Sequence, residues 1–269
     1  MIKKEVTQSR RRGIYLLPNL FTTAALFSGF YAIVSAMHSR FEPAAIAVFV
    51  AMVLDGIDGR VARMTNTQTD FGAEYDSLSD MVSFGLAPAL VVYQWALSDL
   101  GKLGWLAAFI YAATAALRLA RFNTQVGIAD KRYFQGLASP SAAAIVAGMV
   151  WVGETYAIKH ILVDYVAWGL TVAVGLLMVS NVRYYSFKTL NLRDRVPFVA
   201  ILAIVLILVL ISSNPPVVLF SVFFAYALSG PVLTLTQLRK RRAEREQAHK
   251  HNEGQSDENQ NDDQNLENS

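Results

Sequence analysis

The chain has 269 residues, of which 54% are hydrophobic, and its mean hydropathy is +0.33 although its last residues are very polar. A soluble domain of this length would carry more surface charge and shorter apolar elements. The absence of cysteine excludes disulfides, thiolate metal sites and a cysteine nucleophile. We therefore expect an all-α integral membrane protein, a polytopic helical bundle.

Apolar runs long enough to cross about 30 Å of hydrocarbon as helices follow one another along the chain. They predict about eight transmembrane helices, at residues 15–37, 42–63, 76–98, 103–122, 139–158, 161–181, 196–212 and 216–237. No small-residue cleavage site follows the first run, so we expect a retained helix rather than a signal peptide. The predicted division is a cytoplasmic N-terminal arm (1–13), a transmembrane domain (14–238) and a disordered cytoplasmic tail (239–269).

The basic residues orient these predicted helices. With the N-terminus inside, 21 of the 24 Lys and Arg residues lie on the cytoplasmic side, and Arg40, Lys102 and Lys159 lie outside. This distribution follows the positive-inside rule and supports an even number of spans. It predicts a multi-pass protein of the cell (cytoplasmic) membrane with both termini inside.

An acidic stretch, residues 54–80, separates the second and third predicted helices. Asp55 and Asp58 are three residues apart near the end of the second helix. Asp76 and Asp80 are four residues apart at the start of the third, so each pair shares one helix face. Ionisable groups beside membrane-spanning segments are costly and are candidates for function.

The loop between these helices, about residues 64–74, is short enough to bring the four carboxylates together. Unpaired carboxylates at one place repel one another, and Arg63 can neutralise only one or two of them. Hard oxygen ligands favour Mg²⁺ or Mn²⁺. The pattern therefore predicts an active site at the cytoplasmic ends of helices 2 and 3, where two metal ions would clamp a phosphoryl group.

The acids alone leave two other interpretations open. One is a solvated acidic face whose carboxylates pair with Arg60 and Arg63. The other is the cation pathway of a transporter, although acids of that kind usually lie near the middle of the membrane among broken helices.

The spacing D-x₂-D-G-x₂-A-R-x₈-G-x₃-D-x₃-D, from Asp55 to Asp80, resembles the signature of the CDP-alcohol phosphatidyltransferase family at every fixed position. In that family an alcohol displaces CMP from a CDP-linked lipid. The resemblance implies a transferase of phospholipid biosynthesis in which Asp55, Asp58, Asp76 and Asp80 hold two metal ions and Asp80 is the catalytic base. It also implies that CDP-diacylglycerol is bound by Gly59, Ala62, Arg63, Thr69 and Gly72.

Stretches outside the signature resemble the serine-using branch of that family, the phosphatidylserine synthases. They are residues 18–23, 79–88, 117–123, 136–143 and 178–188. This resemblance implies L-serine as the acceptor. Arg121, Asn123 and Arg118 are predicted to contact it, because a zwitterion needs a cation for its carboxylate and these residues reach the cytoplasmic face. Relatives that use inositol phosphate, glycerol phosphate or choline remain alternatives.

The remaining expectations concern partners and single residues. Membrane lipid is an expected partner, a nucleic acid is not, and small residues in the third to fifth helices favour a homodimer. Asp70 and Glu74 fall outside the signature and are predicted to be solvated loop acids. Pro88 and Pro140 are predicted to kink or begin helices rather than to contact substrate.

Overall fold

A computed structural model of the chain describes residues 2–65, 69–124, 133–158, 160–185, 198–234 and 236. Within these residues the chain forms eight helices and one short antiparallel sheet. The helices are α1 (Ile2–Met37), α2 (Phe41–Thr65), α3 (Asp70–Leu100), α4 (Lys102–Thr124), α5 (Ser139–Thr155), α6 (Ile161–Val179), α7 (Phe198–Ser213) and α8 (Pro215–Thr234). The strands are β1 (Tyr133–Gln135) and β2 (Arg183–Tyr185).

Five of the described helices are long and apolar enough to cross a membrane: α1 from Pro18 onward, α3, α4, α6 and α8. Helices α5 and α7 are apolar but only 17 and 16 residues long. Helix α2 is longer but carries ionisable residues along its second half. The chain is thus a helical membrane protein, and the count of eight spans stays a prediction.

The predicted N-terminal arm is part of helix α1. Helix α1 begins at Ile2, so the predicted arm runs into the first span without a break in the helix. The predicted tail, residues 239–269, lies outside the described residues.

The loop between α2 and α3 is shorter than predicted. Only residues 66–69 separate the two helices, and 66–68 lie outside the described residues. Asp70 and Glu74 are exposed, as expected of solvated acids, but they belong to the first turns of α3 rather than to a loop. The helix begins early because Thr69 caps it: its Oγ1 accepts a hydrogen bond from the Gly72 N–H at 3.0 Å.

Helix α3 changes its winding directly after the acidic residues, with π-helical turns at Met81–Leu86 and again at Tyr93–Leu97. Pro88 follows the first of these and has no N–H, so the Phe84 carbonyl lacks its usual helical donor. The buried Tyr111 hydroxyl on α4 donates to that carbonyl at 3.1 Å. Pro88 begins an α-helical segment, as predicted, and the carbonyl that it leaves free joins α3 to α4.

Helices α1 and α3 pack closely through small residues. The Ser79 hydroxyl donates to the Thr22 carbonyl at 3.1 Å, and the Ser83 hydroxyl donates to the Ala25 carbonyl at 3.1 Å. A Cβ placed on Gly29 would lie 2.7 Å from the Ser83 Cα. The missing side chain of Gly29 therefore lets α1 approach the segment that carries the acids.

Replacing Gly29 with Ala is expected to lower the free energy of unfolding by about 1–3 kcal/mol, because the new methyl group meets the Ser83 backbone as well as its short side chain. Unfolding of the purified protein in detergent, by heat or by SDS, measures the change. Gly169→Ala on α6 is the matched control, since a Cβ there meets nothing within 4 Å. Equal stability of the two variants would contradict the close α1–α3 packing.

Helix α5 lies in the interior of the bundle, where residues 142–150 are all buried. Pro140 lies in its first turn, as predicted. Before it, Gly136 has a positive φ of 77° and donates its N–H to the Val182 carbonyl at 2.9 Å. The two-stranded sheet and this bond hold the start of α5 beside the end of α6. The small residues among 142–150 pack within the chain, and the homodimer stays a prediction.

Candidate active site

Three of the four signature carboxylates meet between α2 and α3. One carboxylate oxygen from each of Asp55, Asp76 and Asp80 lies within 4.8 Å of the others, and all three side chains are half-buried. Asp76 and Asp80 are one turn apart on α3 and Asp55 faces them from α2, as their spacing predicts. Within the described ranges, no other group of three or more acidic or histidine side chains is close enough to hold a metal.

Asp58 lies beside this group rather than within it. Its side chain is only 4% exposed, and its Oδ2 accepts a hydrogen bond from the Thr22 hydroxyl on α1 at 2.7 Å. It is close enough to interact electrostatically with both Asp55 and Asp76. The structure therefore brings all four acids into one region and gives Asp58 a partner of its own.

The chemistry of this cluster fits a divalent cation. Asp76 Oδ1 is buried, and no described residue donates a hydrogen bond to it. The carboxyl groups of Asp55 and Asp80 lie within hydrogen-bonding distance of each other. Buried carboxylates without donors are costly, and an all-oxygen set is what Mg²⁺ and Mn²⁺ prefer. This burial disfavours the interpretation as a solvated acidic face.

The predicted CDP-lipid residues of α2 follow the acids along one stretch of helix. Gly59 and Ala62 are half-buried, and the Arg63 side chain is exposed. A Cβ on Gly59 would have only Arg63 Nη2 near it, at 3.9 Å, and one on Gly56 would meet nothing within 4 Å. The glycines therefore leave open space next to the carboxylates.

The predicted CDP-lipid residues of α3 have a local structural role. Thr69 is exposed and caps the helix through Gly72. A Cβ on Gly72 would lie 3.1 Å from Thr69 Oγ1 and 3.5 Å from the side-chain oxygen of Asn19 on α1. A larger residue at position 72 would press against both groups, so capping and packing alone account for a glycine here.

Arg118 is one of the residues predicted to contact serine, and it lies close to the acids. It is half-buried on α4, close enough to Asp80 for a direct electrostatic interaction, and Tyr226 of α8 lies near it. Its Nη1 donates to the hydroxyl of the fully buried Ser139 at 2.7 Å. Its Nε is buried and finds no acceptor among the described residues.

The other two predicted serine contacts lie at the end of α4. Arg121 donates through Nη2 to the Asn181 side-chain oxygen at 2.7 Å and through Nη1 to the Val179 carbonyl at 3.3 Å. The Asn123 amide donates to the Ser77 hydroxyl of α3 at 3.0 Å. These bonds tie α4 to the end of α6 and to α3, and contact with serine stays a prediction.

Three residues of this region carried no predicted role. Thr22, Tyr111 and Ser139 are buried polar side chains. Thr22 contacts Asp58, and Tyr111 contacts a backbone carbonyl of α3. Ser139 accepts a hydrogen bond from Arg118. Thr22 and Ser139 belong to stretches whose family resemblance was visible in the sequence. The resemblance identified these stretches but did not predict which of their side chains contact the site.

Comparison with known proteins places the same region in one family. A profile described as CDP-alcohol phosphatidyltransferase matches residues 15–179. The CDP-diacylglycerol–serine O-phosphatidyltransferase of Helicobacter pylori strain J99 is 40% identical over 175 residues, covering 65% of this chain and 74% of that protein. The Bacillus subtilis strain 168 protein of that name is 33% identical over 172 residues, covering 64% of this chain and 91% of that protein. A Methanocaldococcus jannaschii protein of that name is 39% identical over 140 residues, covering 52% of this chain and 62% of that protein.

Proposed function

The chain belongs to the CDP-alcohol phosphatidyltransferase family, and from this premise we propose that it is a phosphatidylserine synthase. It transfers the phosphatidyl group of CDP-diacylglycerol to L-serine and releases CMP. The observation that carries the proposal is the meeting of the Asp55, Asp76 and Asp80 carboxylates within 4.8 Å, at the signature positions of that family. The serine-specific names of the relatives support the choice of acceptor.

The four signature acids hold two divalent ions, Mg²⁺ or Mn²⁺, in this proposal. Asp55 and Asp76 would hold both ions, Asp58 one of them and Asp80 the other. When bound, such ions neutralise charge on the pyrophosphate and make a coordinated hydroxyl easier to deprotonate. The unpartnered, buried oxygen of Asp76 supports this assignment.

Asp80 acts as the general base. It takes the proton of the serine hydroxyl while the serine oxygen forms a bond to the phosphorus that carries diacylglycerol. The bond from that phosphorus to the CMP oxygen breaks, and CMP leaves with the electron pair. Asp80 suits this role because its carboxylate lies in the group of three, and the predicted serine contact Arg118 is close to it.

We infer that Arg118, rather than Arg121, meets the carboxylate of serine. The Arg121 guanidinium already donates to Asn181 and Val179, whereas Arg118 has a buried Nε with no acceptor in the described part of the chain. A guanidinium can hold a carboxylate through two parallel hydrogen bonds. Its closeness to Asp80 would place the serine hydroxyl near the base.

The setting of the enzyme completes the proposal. The open space at Gly59, with Arg63 at its edge, accommodates the CDP head group, while Thr69 and Gly72 shape the nearby helix start. The 21-to-3 distribution of basic residues supports eight spans, with the site and both termini on the cytoplasmic face of the cell membrane. A homodimer is part of the proposal on the family resemblance alone.

The acceptor is tested with purified protein, CDP-diacylglycerol and a panel of alcohols: L-serine, glycerol phosphate, inositol phosphate and choline. We expect CMP release with L-serine at a rate at least about tenfold above every other acceptor, because a pocket that pairs charged groups rejects ligands lacking them. Chromatography of the lipid product provides the second measurement. CMP release with glycerol phosphate but not with serine would refute the choice of acceptor. If none of the alcohols supported CMP release, the enzyme assignment would be refuted.

A further inference from the structure

Thr22 is a buried polar residue on α1 that contacts one of the signature acids from a helix outside the signature. Its side chain is 4% exposed, and its hydroxyl oxygen lies 2.7 Å from Asp58 Oδ2 and 3.2 Å from the Pro18 carbonyl. A hydroxyl has one proton to donate. Bonds to a charged acceptor are shorter and stronger than bonds to a neutral one, so the proton goes to Asp58.

The backbone of Thr22 is held as well. Ser79, which directly precedes Asp80, donates its hydroxyl to the Thr22 carbonyl at 3.1 Å. Thr22 therefore touches α2 at Asp58 through its side chain and α3 next to Asp80 through its main chain. One residue of α1 is thus hydrogen-bonded to both helices whose acids form the site.

Asp58 is held by a hydrogen bond from outside its own helix. Asp58 lies outside the group of three carboxylates. Among the described residues, the Thr22 hydroxyl and the Gly59 backbone N–H donate hydrogen bonds to it. The terminal torsion of an aspartate is broad, so a carboxylate without fixed donors takes many orientations. Ligating carboxylates generally carry an outer hydrogen bond that orients them, and its loss typically weakens metal binding by about 10- to 100-fold.

We propose that Thr22 is a positioning residue that orients the Asp58 carboxylate for metal binding. The inference rests on the proposed function, since it assigns Asp58 to a metal ion. Thr22 touches neither substrate nor the reacting atoms in this scheme, and it acts only through Asp58. A hydroxyl at position 22 is the required feature, and the threonine methyl group is not.

The test measures Mn²⁺ binding to the full-length protein in lipid nanodiscs, by calorimetry and by the electron paramagnetic resonance of free Mn²⁺. Thr22→Val keeps the shape and removes the hydroxyl, and it is expected to raise the Mn²⁺ Kd at least about tenfold. Thr22→Ser keeps the hydroxyl, and its Mn²⁺ Kd should stay within about twofold of that of the unmodified protein. If Thr22→Val does not fold, Thr22→Ala takes its place. It also removes the hydroxyl but adds no methyl group against α2, and the same rise in Kd is expected.

Thr23→Val is the matched control. It makes the same change one residue along, where the hydroxyl bonds the Asn19 carbonyl and Tyr75 rather than an acid, and the Mn²⁺ Kd should not change. In an Asp58→Asn background, Thr22→Val should have little further effect, because the two residues act as a unit.

The outcomes separate this inference from the proposed function. A lowered melting temperature with an unchanged Mn²⁺ Kd in Thr22→Val would make Thr22 merely structural and overturn the inference alone. Absence of Mn²⁺ binding by the unmodified protein would overturn the two-metal site itself.

Discussion

Replacing Asp80 with Asn lowers the rate of CMP release by about 10²- to 10⁴-fold, the range that a general base contributes. Asparagine has nearly the same shape and keeps one oxygen that can bind a cation, but it cannot take a proton from the serine hydroxyl. Binding of CDP-diacylglycerol and of metal should be largely retained, because the other signature acids stay in place. CMP release at saturating serine measures the rate, and Mn²⁺ titration measures the site.

Asp70→Asn is the control for this change. Asp70 lies on the same helix and is exposed, outside the group of three carboxylates. The same substitution there removes one negative charge from α3 without touching the site, so activity should be unchanged. A wild-type-like rate in Asp80→Asn would remove Asp80 as the base. Loss of Mn²⁺ binding along with activity would instead make Asp80 chiefly a metal ligand.

Chelation by EDTA is expected to abolish CMP release, and excess Mg²⁺ or Mn²⁺ added after removal of the chelator should restore it. The physical reason is the concentration of negative charge at the site: three carboxylates lie within 4.8 Å of one another, and Asp58 lies beside them. Without a cation these groups repel one another and the pyrophosphate of the lipid substrate. The restored rate as a function of metal concentration measures the apparent affinity.

A second variant ties the metal effect to these particular acids. Asp55→Asn should shift the metal dependence of the restored rate to higher concentrations, because Asp55 lies in the group of three and is assigned to both ions, whereas Asp80 is assigned to one. Glu74→Gln, exposed on α3, should leave that dependence unchanged. Activity that is indifferent to EDTA would refute the two-metal site.

Much of the helical order was predictable from the sequence, because membrane-spanning helices have a minimum apolar length that short windows detect. Each predicted run corresponds to one described helix in the same order. The boundaries were less predictable where polar residues continue a helix. Asp70 and Glu74 looked like loop acids, but the Thr69 cap begins α3 ahead of its apolar run, so hydropathy missed its first turns.

The family and the four signature acids could be identified from the sequence, because the chain matches the family signature at every fixed position. Helix periodicity added that Asp55 and Asp58 share one face, as do Asp76 and Asp80. Which distant side chains complete the site became visible only in the folded chain. Thr22 and Asp58 are 36 positions apart, and Arg118 and Ser139 are 21 apart. Such contacts depend on how whole helices pack, through features such as Gly29 against Ser83 and the carbonyl that Pro88 leaves to Tyr111. The spacing of residues within one helix carries no information about that packing.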